Sequence, residues 1–382
     1  MKPWILCAVL GVLCAVLFGP SAGRVSATII STGDGSGNTT APPDDPGFAN
    51  VGSRTDGMGV FDSTAIYLGD GWALTANHVG AGPVFLNGTT YYNVAGSAVR
   101  LTNSGVSGKS QSTDLVMYRI AGDPGLPRLT ISVAPPPFSA DIVMIGRGRD
   151  RDPNLTNWNS SWAEVPNPST FSGYKWAADS TIRWGTNKIY QTGQWVNDGS
   201  DFLALSTRFD KNGTTYEGQV ARGDSGGGFF YKNPITNAWE LAGTMLARST
   251  VNGQPTESAV FTSFSYAADL SFYRSQILTI NPLPGDLNVD FVIDIFDINL
   301  VSANWGGPGP AGDANHDGIV DIFDINFVSS HWTGTGGAAA GLSAGVSTVP
   351  EPATAAMLAV GLLALAPWCV RRRLATRVRD DA

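Results

Sequence analysis

Short apolar runs broken at brief intervals by Gly, Asn, Asp and Pro make up most of this chain. Such runs at 61–68, 71–76, 84–86, 90–94, 115–120, 140–145, 202–206, 228–231, 239–246 and 258–264 predict β-strands joined by turns. This spacing suits barrels or sandwiches. Residues 266–280 carry apolar positions at helical spacing and predict a helix that closes the domain. Two apolar runs flank this body. Lys2, the run from Trp4 to Phe18 and Val25-Ser26-Ala27 read as a secretory signal over 1–27, cut before Thr28. The run 353–370, about 27 Å long as a helix, nearly matches the ~30 Å bilayer core, and Arg371-Arg372-Arg373 would hold its end in the cytoplasm.

Residues 28–47 are rich in Gly, Ser, Thr, Pro and Asp, and predict a disordered leader. Gly/Ala/Ser-rich 334–348 reads as a linker. A chain of 382 residues, 43% of them hydrophobic, can bury a full core and should hold more than one domain. Its net charge of −8, with no basic patch outside the tail, excludes a nucleic-acid surface. Cys7 and Cys14 fall in the signal and Cys369 in the C-terminal run, so the folded part has no disulfide although it is exported.

Candidate chemistry centres on Gly223-Asp224-Ser225-Gly226-Gly227, which runs into an apolar strand. Glycines let the backbone turn tightly and gather its N–H groups beside the Ser225 hydroxyl, as a nucleophile with an oxyanion hole requires. An incidental serine in a glycine-rich loop is the plain alternative. Of the three histidines, His316 and His331 lie in a separate C-terminal segment, so a histidine base for Ser225 has to be His78.

Trp72-Ala73-Leu74-Thr75-Ala76-Asn77-His78-Val79, Asp114-Leu115-Val116-Met117-Tyr118-Arg119-Ile120 and the Ser225 stretch resemble, in order, the His, Asp and Ser blocks of chymotrypsin/trypsin-like serine proteases. The resemblance covers about 48–278. It implies an all-β domain over 48–280, built as two six-stranded antiparallel β-barrels with the site in the cleft between them. It implies a serine endopeptidase with His78, Asp114 and Ser225 as triad, Gly223 and Ser225 N–H groups as oxyanion hole, protein or peptide substrates, and no cofactor for catalysis. By offset, Gln219 falls at the base of the specificity pocket, where nothing demands a cationic substrate side chain. Leu246-Ala247-Arg248 departs from the usual Ser-Trp-Gly cleft wall.

Relatives form a new N-terminus near Phe48 whose ammonium pairs with the aspartate before the serine, here Asp224. No Arg-Ile-Val-Gly-Gly activation site precedes Phe48, which leaves Arg222 or backbone N–H groups as partners for Asp224. The altered wall and missing activation site keep a second reading open, a catalytically inactive surface-displayed binding or scaffold protein. The five tryptophans 158, 162, 176, 184 and 195 form either a cleft wall for aromatic or sugar-like groups or packing under long loops.

Residues 286–299 recur as 313–326. Asp286, Asn288, Asp290, Asp294 and Asp297, with the Val292 carbonyl, and Asp313, Asn315, Asp317, Asp321 and Asp324, with the Ile319 carbonyl, have the spacing of EF-hand-type calcium loops. Phe291 stands where such loops carry glycine, as Gly318 does in the second copy. The repeat resembles a dockerin, which implies a small α-helical Ca2+ module over 284–333. A cohesin-like scaffold would then meet Ile295-Phe296 and Ile322-Phe323, unless these fill the module's own core. Val349-Pro350-Glu351-Pro352, the apolar run and the arginines resemble the bacterial PEP-CTERM sorting tail. That resemblance implies, for 349–382, a transmembrane helix at 353–370, processing by an exosortase, and location in the cell envelope.

Overall fold

The computed structural model describes residues 28–55 and 61–333. The signal at 1–27, the linker at 334–348 and the tail at 349–382 with its membrane helix lie outside the described residues. Among the described residues no helix is long and apolar enough to cross a membrane.

Two antiparallel β structures follow one another along the chain. The first comprises β1 (Val51–Thr55), β2 (Phe61–Gly69), β3 (Trp72–Ala76), β4 (Val84–Leu86), β5 (Thr89–Tyr91), β6 (Val99–Thr102) and β7 (Ser112–Arg119). Their order is β5-β4-β1-β2-β3-β7-β6. It therefore has seven strands where six were expected. The eight-residue β7 explains the extra one, because one of its edges is shared. β6 pairs with that edge from Ser112 to Met117, while Asn93, just beyond β5, bridges Ile120 at its end. Val94 N donates to the Arg119 carbonyl at 2.8 Å and Ala121 N to the Tyr92 carbonyl at 2.7 Å, so the strand path returns towards its start.

The second structure is a closed six-stranded barrel. It comprises β8 (Asp141–Gly146), β9 (Arg183–Asn197), β10 (Asp201–Arg208), β11 (Gly228–Lys232), β12 (Trp239–Arg248) and β13 (Phe264–Asp269), in the cyclic order β9-β10-β13-β12-β11-β8. β9 runs through the tryptophan-rich stretch, whose polar alternation hides a strand exposed along much of its length.

The helix expected over 266–280 starts later. Residues up to Asp269 belong to β13, and α1 is Leu270–Ile280, with the Asp269 carboxylate accepting from Ser271 N as its cap. Apolar spacing alone cannot separate a strand from the helix that follows it without a break; the capping aspartate does. α1 packs Leu270, Tyr273 and Ile277 into a core continuous from Ile66, Leu74 and Leu115 of the first sheet to Phe202, Phe230 and Leu241 of the barrel.

Residues 28–47, expected as a disordered leader, are instead packed along the barrel. Ile29 and Ile30 form a buried strand paired with Gly218–Gln219. The carbonyls that follow are taken up by side chains far away in sequence. Arg151 donates to Ile30 and Gly33 at 2.6 and 2.7 Å, Arg183 donates to Gly37, and Trp184 Nε1 donates to Thr40 at 2.9 Å. Low hydrophobicity predicts disorder only when no distant donors wait for the backbone.

The duplicated segment forms two loop–helix units, each helix capped by an aspartate. α2 (Ile295–Ala303) and α3 (Ile322–Ser330) start at Asp294 and Asp321, with Asp297 and Asp324 completing capping boxes. Ile293, Val301, Ala314, Val320 and Val328 make the module's own small core. Ile295, Phe296, Ile322 and Phe323 stay outside it and are exposed.

Candidate active site

His78 sits in the turn that ends β3, and Asp114 near the start of β7, its neighbour in the sheet. That pairing joins them. Asp114 Oδ1 accepts from the His78 main-chain N at 2.8 Å, and Oδ2 lies 2.6 Å from His78 Nδ1. The Asp114 side chain is 5% exposed and that of His78 46%, so a buried carboxylate holds a ring whose far nitrogen can reach solvent or substrate. The hydrogen bond to Asp114 raises the His78 pKa above its ordinary value; burial opposes it, and the charges of Asp114 and Asp198 add to it.

Ser225 comes from the turn before β11, on the barrel side. His78 and Ser225 line one pocket of about 260 Å³ together with Asp198, Val220, Ala221, Arg222, Leu246, Ala247, Arg248 and Thr250. Among the described residues Ser225 has no hydrogen bond to His78, and the N–H groups of Gly223 and Ser225 have no acceptor. Contacts between a nucleophile and its base are often long in unliganded sites and tighten on substrate. Two unpaired N–H groups beside a hydroxyl can stabilise a developing oxyanion.

Thr64, on β2, fixes this turn, and nothing in the sequence singled it out. Its N–H donates to the Ser225 carbonyl at 3.1 Å, and its hydroxyl donates to the Gly223 carbonyl at 2.8 Å and accepts from Arg147 N at 2.8 Å. Gly226 fits against the same residue. At its φ of +89° a Cβ would lie 2.0 Å from the Thr64 carbonyl oxygen and 2.2 Å from Thr75 Oγ1, so no side chain is accommodated. Tyr273 of α1 was also missed. Its hydroxyl accepts from Thr113, next to Asp114, at 3.2 Å and from Leu203 N at 3.3 Å, and donates to Asn103 Oδ1 at 2.8 Å.

Asp224 is wholly buried, and its partner is neither Arg222, which is exposed, nor a terminus near Phe48. The carboxylate accepts from the Thr28 hydroxyl at 2.9 Å and Ala221 N at 2.8 Å, and from the main-chain N–H groups of Gly148 and Thr28. Burial pushes its pKa up to about 6 against these donors. Cβ atoms at Gly146 and Gly148 would meet its oxygens at 2.3 and 2.4 Å, so both glycines are needed for the close approach.

Gln219 does not line the pocket. It pairs with Ile29 in the two-stranded ribbon, fully buried, and Val220 and Ala221 take the wall in its place. The offset from Ser225 could not foresee this, because the strand that captures Gln219 comes from the supposed leader.

The calcium-ligand candidates are arranged alike in the two loops. Asp286 accepts from Phe291 N and Asp290 N, and Asp313 from Gly318 N and Asp317 N. Asp297 and Asp324 are buried and accept main-chain N–H groups of their own loops. Among the described residues no three acidic, histidine or cysteine side chains converge closely enough to hold a metal ion by themselves; the expected sets also draw on Asn288, Asn315 and the Val292 and Ile319 carbonyls. Phe291 adopts a φ of +69° where Gly318 has +91°, a conformation that costs a non-glycine residue about 1 kcal/mol or more.

Residues 348–373 match the PEP-CTERM protein-sorting motif. The match falls on the expected sorting tail and marks the chain for export and envelope sorting by an exosortase-type enzyme. No curated protein matches the chain. Among solved structures the chain is similar to neuropsin, a serine protease of mouse brain, at 16% identity over 64% of this chain and 97% of that one, with a TM-score of 0.40. It is also similar to the Rv3671c protease of M. tuberculosis in its inactive form, at 13% identity over 60% and 87%, with a TM-score of 0.35. Kallikrein-related peptidase 10 in complex with Zn2+ is similar at 11% identity over 61% and 94%, with a TM-score of 0.37. At these scores the likenesses carry no argument, and the strand pairing itself defines the fold.

Replacing Thr64 by Val removes the donor to the Gly223 carbonyl and leaves that acceptor unpaired. The expected result is a loss of about 1–3 kcal/mol in urea unfolding and slower labelling of Ser225 by a fluorophosphonate probe.

Proposed function

We propose that this chain is an exported serine endopeptidase. The observation that carries this reading is the pairing of the buried Asp114 carboxylate with His78, which shares one pocket with Ser225, whose turn presents two unpaired N–H groups. His78 takes the Ser225 proton as Oγ attacks the peptide carbonyl carbon, and returns it to the leaving amine. Asp114 fixes the ring tautomer and stabilises the imidazolium. Gly223 and Ser225 N–H groups hold the oxyanion, each donor being worth on the order of 10²–10³ in rate. Water then resolves the acyl-enzyme by the same steps.

The lack of a Ser225–His78 hydrogen bond favours one other reading, a protease fold kept as an inactive binding or scaffold protein. Fluorophosphonate labelling and casein hydrolysis that vanish in Ser225→Ala and His78→Ala separate the two. Inertness of the folded wild-type protein supports the binding reading. Because only the neutral imidazole accepts the proton, kcat/KM should fall as pH drops through the raised His78 pKa, placing the acid limb above 6.5. Asp114→Asn should move that limb down and lower kcat on the order of 10⁴-fold.

Removal of 1–27 would leave Thr28 as the first residue, and its nitrogen already donates to Asp224. The α-ammonium formed there would neutralise the buried carboxylate and hold the Ser225 turn. Mass spectrometry of the exported protein should give Thr28 as N-terminus, and retaining Ala27 should reduce kcat about tenfold or more, as expected for a buried ion pair lost. An unchanged kcat would refute this role.

The duplicated ligand spacing and the exposed Ile-Phe pairs support a calcium-dependent docking module, whose partner is the cohesin-like scaffold expected from the sequence. Calcium binding would draw the carboxylates off their N–H groups onto the ion. Titrated into metal-free protein, calcium at a hundredfold excess over Kd should stabilise it by about 2.7 kcal/mol, seen as a higher Tm, and Asp313→Ala should weaken the effect. No shift at millimolar calcium would reject the module as a calcium site.

A further inference from the structure

Two segments line the candidate catalytic pocket, Val220-Ala221-Arg222 and Leu246-Ala247-Arg248. An acyl group on Ser225 would therefore sit in a pocket whose lining includes two arginines, Arg222 and Arg248. Arg222 is exposed and hydrated. Arg248 is not.

Its guanidinium lies over the Trp176 ring, 4.6 Å from the centroid, and Nη2 donates to the Thr256 carbonyl at 3.2 Å. Nη1 is buried and has no hydrogen-bond partner among the described residues. No described carboxylate pairs with Arg248. Burial alone accounts for the lowered pKa of this group, with no acid acting on it. The carboxylate that lines the pocket, Asp198, acts on His78.

Arg248 lines the pocket half-buried, its guanidinium plane held by the Trp176 ring and by the Thr256 carbonyl, and it has no carboxylate partner among the described residues. A carboxylate entering the pocket would meet that uncompensated positive charge. Lysine and arginine side chains would meet two like charges in the same space.

Resting on the endopeptidase reading above, we propose that Arg248 is a specificity-determining residue, and that the enzyme prefers substrates with a carboxylate side chain on the residue preceding the scissile bond. Arg222, exposed on the same pocket, supplies weaker, solvent-screened attraction.

The test uses the protein expressed from the full chain and peptides blocked at both ends, so that only the side chain carries a carboxylate. The residue before the scissile bond is Glu, Asp, Gln, Leu or Lys. Expected is a kcat/KM for Glu or Asp at least about tenfold above Gln, the size of a charge-assisted hydrogen bond, with Lys poorest. Arg248→Gln should bring the Glu-to-Gln ratio close to one, and Arg248→Glu should turn the preference towards Lys. Mapping the cuts in casein by mass spectrometry reads the same preference in the unaltered protein, should either variant fail to fold. Casein hydrolysed without enrichment of acidic residues before the cuts, or a ratio unchanged in Arg248→Gln, overturns the inference and leaves the protease reading standing. A folded protein with neither hydrolysis nor fluorophosphonate labelling overturns both.

Discussion

A carboxylate shut off from water has to find its donors inside the protein, and Asp224 draws them from three separate parts of the chain. Thr28 contributes its hydroxyl and N–H, Gly148 and Ala221 one N–H each. An unmet buried charge would cost several kcal/mol, so each of these segments is held to its place. The need for Thr28 brings Ile29 and Ile30 against Gly218–Gln219. The need for Gly148 keeps position 146 and position 148 without side chains. Ala221 and Asp224 close the turn that presents Ser225. The donors only partly offset the burial, since the pKa still stands near 6.

The candidate catalytic groups come from opposite sides of a seam, and three hydrogen-bonding residues keep that seam from sliding. Asp114 and His78 are paired by the register of β3 with β7, while Ser225 belongs to the turn before β11. Thr64 pins the turn to the first sheet through both its backbone and its hydroxyl. Tyr273 reaches from α1 to the residue before Asp114 and to Leu203 of the barrel, and Asn103 accepts its proton. None of these side chains performs chemistry. Their work is to fix distances that a hydrophobic core, being non-directional, would leave loose.

The duplicated C-terminal units solve a different problem, holding a structure with a core of only five buried residues. Aspartates do much of it by capping main-chain N–H groups at the loop and helix starts. The same oxygens that spacing marks as calcium ligands thus also serve the fold. Leaving Ile295-Phe296 and Ile322-Phe323 in solvent is a cost that a module of this size would avoid unless the surface had a use.

Local patterns are what the sequence could display unaided. His78, Asp114 and Ser225 stand in short motifs whose strand, turn and glycine requirements are read within a few residues, and the repeat and sorting tail declare themselves by spacing. The strands with clear apolar alternation were legible for the same reason. Whatever depended on partners remote in sequence was not. The leader looks disordered until Arg151, Arg183 and Trp184 supply its donors from more than a hundred residues away. Gln219 looks like a pocket floor until Ile29 pairs with it. Arg248 looks like a mere departure from a family pattern until Trp176 and Thr256 are seen to hold it at the pocket with no carboxylate beside it among the described residues. Burial and pairing are properties of the assembled surface, and only the tertiary structure could decide them.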